Sequence, residues 1–463
     1  MLYLAVFSGC VLQYVSYFNQ EILGLNYVML HKKLSFTNLF IANLGLVLLI
    51  LFSYVANYVT NIVLARALGG DEFGEYSMVV YVVQILATIS LLGLDYALVK
   101  FIPLYIYKGD WANAAGFLRY SIRFLLKSSV AVFTFGVIIA GLSYYFDEIN
   151  FLPIKHDHVF FFLWFVSFIA IADFLKKGLN SFQHPYLSLI LTVQFFQPLM
   201  IVMIYGLKKL GPTINLYSMM LLYLVVVIVT IIVDLIVVYF KTPKKIRMVQ
   251  PEYQTYWSKS AISILISVLL INNINAIGVI ISRTFSHGEF DSGTLSAIIL
   301  ICGFMMIAVA AIKLTLEPLL AIAAEQGKEK LQSLVNMVCL FVLSLSGVWF
   351  IIIVLYGRSL LASFNSVFVS GYVPLLILSG ATLFTSVFSI SLSLLKYAGG
   401  HENKSTYSTI IGLSALIIIG SITTYYYGIW GSVITMSLIH VVITLYFAYL
   451  AKESFAIRPF VII

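Results

Sequence analysis

Charge is what this chain has least of. Asp, Glu, Lys and Arg together make up 10% of its 463 residues, against 61% apolar ones, and the mean hydropathy is +1.02. A soluble domain carries about a quarter of its residues charged, so a soluble enzyme or binding module is excluded. Lipid-facing helices need no polar outer face, and the composition is that of a polytopic membrane protein. Cysteine is nearly as scarce. Cys10, Cys302 and Cys339 all lie in apolar surroundings without ligand spacing. This excludes a disulfide framework or a zinc cluster and leaves small packing residues. His156-Asp157-His158 is a loop motif without a companion cluster, so no metal is expected there. The phosphate cradle GxxxxGK[ST] is absent, which argues against direct use of ATP. No cofactor is expected. The +8 charge and pI near 9.1 would suit nucleic acid, but the basic residues fall in alternate loops, a membrane-topology pattern. No nucleic acid is expected as a partner.

What the chain does have is long apolar runs. Twelve can be counted, near 38–64, 75–101, 122–146, 158–180, 185–206, 214–240, 259–281, 293–322, 332–356, 372–396, 405–426 and 429–451. Most are long enough for a hydrocarbon core of about 30 Å. The expected fold class is all-α, with about 12 transmembrane helices in two pseudo-symmetric six-helix bundles. A basic break with Lys241, Lys244, Lys245 and Arg247, followed by Lys259, divides the spans six and six. The expected divisions are an extension at 1–35, a first bundle at 36–240, a cytoplasmic linker at 241–258, a second bundle at 259–451 and a tail at 452–463. Residues 1–30 are apolar but broken by Gln13, Asn19, Gln20, Glu21 and Asn26, and they lack the basic start of a signal peptide. An extended N-terminus, a start site placed too early and a thirteenth helix all remain open for them.

The stretch from Leu64 to Pro103 organises the rest. An apolar span ends at Arg66, a polar turn follows at Gly69-Gly70-Asp71-Glu72-Phe73-Gly74, and a second span runs to Gly93-Leu94-Asp95, closed by Lys100 and Pro103. Glycines allow the positive φ of a sharp turn. The pattern returns at residues 281–293. An offset of 217 places Arg283 on Arg66, Glu289 on Glu72 and Phe290 on Phe73. Both windows join two apolar spans, which suggests two homologous halves. With the N-terminus inside, 21 of the 27 basic residues fall on inner breaks or adjoining helix ends, and six fall outside. The positive-inside rule then puts both termini in the cytoplasm and both hairpin turns outside. Six spans per half give the halves the same orientation, related by an axis along the membrane normal, and substrate sites in such folds lie between the halves.

The stretch LARALGGDEFGEYSMVVYVVQILATISLLGLDYALVKFIPLY resembles the N-terminal hairpin of polysaccharide-export flippases, the lipid-linked oligosaccharide branch of the multidrug/oligosaccharidyl-lipid/polysaccharide exporter superfamily. The second half resembles them too, in Glu317-Pro318-Leu319-Leu320-Ala321, Gly327-Lys328, Leu355-Tyr356-Gly357 and Tyr426-Tyr427-Gly428-Ile429-Trp430-Gly431-Ser432. The likeness covers about residues 36–451. It implies a bacterial inner-membrane protein that moves undecaprenyl-diphosphate-linked sugar units outward and is not an enzyme. The implied partners are the lipid-linked oligosaccharide, membrane lipids, a proton or sodium ion, and polysaccharide polymerase components. The superfamily's other large branch leaves a second reading, an ion-coupled multidrug exporter.

Polar residues inside the spans carry the site expectations, because a charge at mid-membrane costs about 2.5–3.5 kcal/mol on insertion scales. Arg119, Arg123 and Lys127 repeat every four residues and share a helix face. They form a cationic stripe suited to a lipid diphosphate, or ordinary positive-inside anchors. Lys176 and Lys177 join them, beside Asp173. Asp95 with Lys100, and Lys313 with Glu317, place charge at similar depth in the two halves, as a gate or ion-coupling site or as local ion pairs. Asp234 is a further protonatable acid. Asn57 and Asn61 share a face of the first span, and Asn272, Asn273 and Asn275 lie mid-span in the seventh. The resemblance implies that these two spans line the central cavity. Sugar binding and plain interhelical hydrogen bonding are both open to these amides.

Overall fold

The computed structural model describes residues 36–145, 156–182, 184–190, 196–210, 215–288, 290–312, 327–397 and 402–458. Among these every regular element is helical. The first half holds Phe36–Leu68 (α1), Gly70–Ser90 (α2), Leu94–Lys108 (α3), Trp111–Tyr145 (α4), His156–Ser181 (α5), Pro185–Leu189 (α6), Phe196–Leu210 (α7) and Leu216–Lys241 (α8). A short helix, Lys244–Met248 (α9), lies in the basic break. The second half holds Tyr256–Phe285 (α10), Asp291–Gly303 (α11), Lys328–Phe364 (α12), Tyr372–Val387 (α13), Ser389–Tyr397 (α14), Glu402–Tyr427 (α15) and Ile429–Phe455 (α16). After α11 a 3-10 turn at Phe304–Met306 carries the chain on to Ile312. Each of the twelve expected spans meets at least one helix. Among the described residues eight helical stretches are both long and apolar enough to cross a membrane. The chain is a polytopic all-α membrane protein.

Local chemistry sets several boundaries. α8 starts at a capping box, in which Asn215 Oδ1 accepts from Ser218 N at 2.9 Å and Ser218 Oγ accepts from Asn215 N at 3.1 Å. α3 ends at Gly109, whose φ of 72° suits the left-handed position that closes many helices. The second span is not one rod ending near residue 101. It breaks at Leu91–Gly93 and resumes through Pro103 to Lys108. Gly93 has φ 75°, and a Cβ there would run into the Ala261 carbonyl, so only glycine fits the break.

In the first half α5 packs on α2, α3, α4 and α8, and α7 packs on α1 and α8. In the second half α15 packs on α10 and α16, and α13 packs on α12 and α16. Across the halves α2 meets α10 and α11, α1 meets α12, and α3 meets α10. One buried cluster runs through both halves, from Leu64 and Phe73 to Val433 and Met436.

Candidate functional site

The repeated hairpins meet each other. Of the glycines in the first turn only Gly69 has a positive φ, 82°. The polar turn expected at 69–74 is mostly helix, since α2 already begins at Gly70. Gly70 and Gly74 serve close approach instead. A Cβ on Gly70 would lie 2.7 Å from the Phe290 ring, and one on Gly74 would lie 2.8 Å from Gly293 N and collide with Ser292 Oγ. Backbones that cross this tightly need residues without side chains. Around the crossing, Arg283 pairs with Asp71 and lies 3.7 Å from Glu75, so the ion pair spans the halves. Arg66 donates from Nε to Ser363 O at 2.9 Å. Tyr58 donates to Leu360 O at 3.2 Å and shares a 2.9 Å bond with Ser363 Oγ. Phe73 and Tyr58 pack on Phe364. The hairpin end is therefore a closed seam between halves. Glu72 is half-buried beside it; Glu289 lies outside the described residues.

The other end is held by aromatic groups. Trp257, 1% exposed, donates from Nε1 to Tyr105 Oη at 2.9 Å and packs edge-on against Phe117 at 5.1 Å. Tyr105 and Tyr256 share a 2.5 Å bond between their hydroxyls. The strand-like stretch before α10 lies along α4. Glu252 N donates to Ala112 O at 3.2 Å, and Gly116 leaves no room for a side chain under the Glu252 carbonyl. The break expected as a linker is thus docked on the first half. The cationic stripe runs beside it. Arg123 donates to Tyr253 Oη at 3.3 Å and lies over that ring. Arg119 is half-buried, and Arg123 and Lys127 are exposed.

The charges expected as separate sites in the first half come together. Lys176 Nζ lies 3.2 Å from Asp173. Lys177 Nζ sits 4.1 Å from the ring centre of Tyr96, the residue next to Asp95 in the chain. Lys100, expected as the neighbour of Asp95, lies over Phe101 at 5.6 Å. Among the described residues Asp95, 4% exposed, has no partner for Oδ1, and the fully buried Asp234 has none for either oxygen. Helix α5 packs on both α3 and α8, so it sets the half-buried Asp173, Lys176 and Lys177 between the helices that carry these two buried acids. Sequence spacing could not join them, because they come from positions 95, 173–177 and 234. Lys313 and Glu317 lie outside the described residues.

The amides split. Asn61 donates to Asn57 O at 2.9 Å and Asn57 Oδ1 at 3.0 Å, and Gln197 donates to the same Oδ1 at 3.1 Å. Gln197 was missed because no spacing links α7 to α1. Asn273 is spent on Leu269 O at 2.8 Å, a structural role. The Asn272 side chain lies outside the described residues. Asn275 lines a cavity of about 130 Å³ inside the second half, with Thr382, Thr385, His440 and Thr444. None of these last four was singled out by sequence reasoning. A histidine in the otherwise uncharged span 429–451 was the available signal.

Two helical halves, a closed seam at one end and buried polar groups within make up the architecture of this membrane protein. Solved structures of membrane transporters share it. An inward-facing multidrug resistance MATE family transporter of the MOP superfamily is 15% identical and superposes with TM-score 0.65, covering 87% of this chain and 94% of the other. A MATE protein in its straight conformation is 13% identical, with TM-score 0.69 and coverage of 90% and 96%. A MOP superfamily transporter from Pyrococcus furiosus, described by the reverse polarity of its binding pocket, is 15% identical, with TM-score 0.64 and coverage of 90% and 96%. At this identity the likeness shows the fold. The chain belongs to the polysaccharide biosynthesis protein family, whose sequence model matches residues 41–298. The expected place in the polysaccharide transporter branch of the superfamily agrees with both findings. No curated protein matches the sequence.

Proposed function

We propose that the chain is a flippase that carries a polyprenyl-diphosphate-linked oligosaccharide across the bacterial inner membrane. The observation that carries this reading is the seam. Repeat-related helices α2 and α11 cross at Gly70, Gly74 and Gly293, and the cross-half pair of Arg283 with Asp71 and Glu75 locks the hairpin end. Rocking of the halves would open that end while the other closes, which is alternating access. The family match supplies the link to polysaccharide. In this reading both termini are cytoplasmic and the hairpin end faces outward. Arg119, Arg123 and Lys127, with Lys176 and Lys177, receive the diphosphate, because clustered cations recognise phosphate oxygens. The sugar hydroxyls pass the amides of Asn57, Asn61 and Gln197. The acids Asp95, Asp173 and Asp234 form the coupling site for a proton or sodium ion. The protein performs no covalent chemistry, and polymerase components take up the flipped unit.

The test is flipping in proteoliposomes with a polyprenyl-diphosphate oligosaccharide, read by access of an added glycosidase to the sugar. The expected result is protein-dependent exposure that Arg123→Glu with Lys127→Glu abolishes. A second reading, multidrug export, is favoured by the multidrug resistance transporter among the structural relatives. It predicts no lipid flipping, and drug efflux that tolerates both charge reversals.

A further inference from the structure

We propose that the cavity inside the second half is a binding pocket for one neutral sugar ring of the transported saccharide. The proposal rests on the flippase reading and adds a second contact, distinct from the cationic stripe. The cavity lies among α10, α11, α13, α14 and α16. Its volume is about 130 Å³. One water needs about 10–15 Å³ on this measure, so the space equals about ten waters, or about 300 Å³ of liquid. That accommodates a pyranose ring.

The lining has the chemistry of a neutral polyol site. None of its described residues is acidic or basic in the manner of Asp, Glu, Lys or Arg, so it offers nothing to a diphosphate. Most of the wall is apolar, with Phe388 and Ile443 available to the C–H face of a ring. A few polar groups converge on it, the usual make-up of a small-molecule pocket. His440 Nδ1 is buried without a hydrogen-bond partner among the described residues. The Thr382 and Thr385 hydroxyls give their protons to Leu378 O at 2.8 Å and Thr382 O at 3.1 Å. Their oxygens remain acceptors for sugar hydroxyls. Asn275 adds a carboxamide that both donates and accepts.

At the positions that the repeat pairs with this lining, the described residues of the first half are different. The offset of 217 places His440 on Tyr223, Thr382 on Phe165 and Thr385 on Phe168. In the first half these positions are plugged by rings: Phe165 stacks on Tyr223 at 5.7 Å, and Tyr223 meets Phe196 at 5.3 Å and Tyr76 at 6.5 Å. Where one half is filled with aromatic carbon, the other carries an imidazole and hydroxyls around open space. A cavity left only by loose packing would keep an apolar lining.

The test is saturation-transfer NMR on the full-length protein in detergent. The probes are the methyl glycosides of glucose, galactose and rhamnose, together with N-acetylglucosamine; glucuronate is the charged comparison. At least one neutral probe is expected to give a saturable signal that glucuronate does not displace. Thr382→Phe and His440→Tyr install the first half's residues and should weaken binding about tenfold or more. Thr385→Val and Asn275→Leu, which keep the cavity's size, should weaken it less, so the inference survives a filled variant that fails to fold. Absence of any neutral signal in folded protein overturns the proposal, as does equal affinity for glucuronate or undiminished binding in folded Thr382→Phe. Flipping is read on the same preparation. Neutral glycoside binding without flipping keeps the pocket and sinks the flippase reading; flipping without binding sinks the pocket alone.

Discussion

Gly74 and Gly293 face each other across the two halves, and neither has a positive φ. Their value is the absence of a side chain, which lets α2 and α11 cross. Gly74→Val would overpack the crossing at a cost of about 1–3 kcal/mol. The expected outcome is a closed seam populated about tenfold less. Disulfide formation between Asp71→Cys and Arg283→Cys measures this, and an unchanged yield would show that the seam tolerates bulk. Arg283→Gln acts at the same place by another route. Its ion pair is partly exposed on the Asp71 side, and such pairs contribute about 0.2–1 kcal/mol. Replacement should raise opening at the hairpin end by several-fold or less, seen as faster alkylation of a cysteine at Ser363. Equal alkylation rates would place the lock in the glycine crossing alone.

At the scale of elements, the basic break is expected as a linker between the bundles, and its packing goes beyond what its charges suggest. In the structure it is pinned. Lys245 and Arg247 lie over the rings of Trp111 and Tyr239 at 5.1 and 4.1 Å, and Trp257 closes the stretch in a buried aromatic cluster. Cation–ring contacts and backbone bonding to α4 hold it against the first half. Trp257→Ala should cost about 3–5 kcal/mol locally, enough to undock the start of α10. Limited trypsin digestion should then cut at Lys244, Lys245 or Arg247 much faster than in the parent. A cleavage rate equal to the parent's would mean that α4 alone holds the segment. The break in α2–α3 is the other element-level surprise. Lys100 and Pro103 are expected to close the second span, yet the chain stays helical through Pro103. The irregularity falls at Leu91–Gly93, where Gly93 touches α10.

For the whole molecule, the two halves share a plan and differ in their interiors. The first half buries Asp95 and Asp234 and sets the half-buried Asp173, Lys176 and Lys177 on α5; the second half opens an uncharged polar cavity. Charge kept inside a membrane protein is costly unless it is used or paired, and Asp234 is buried without a partner among the described residues. If this cluster couples transport to an ion gradient, Asp95→Asn and Asp234→Asn should each leave downhill flipping in proteoliposomes intact. Each should also remove its acceleration by an imposed proton or sodium gradient, a loss of about tenfold or more. Full gradient dependence in both variants would assign the cluster to structure.

The sequence alone determined the class. Apolar runs of span length, scarce charge and alternating basic loops leave few alternatives to an all-α membrane protein, because a bilayer forces backbone groups to pair within each segment. The repeat at offset 217 was also legible, since local turns and arginines sit at matching places in both halves. Tertiary structure alone decided what those residues touch. Packing joins positions far apart in the chain: Arg66 with Ser363, Gly74 with Gly293, Asn57 with Gln197, and Tyr96 with Lys177. Those contacts follow from how helices cross, which periodicity along one helix does not encode. For the same reason the cavity around His440 was invisible in the sequence. A void is a property of five helices together, and each of them, read singly, is only another apolar span.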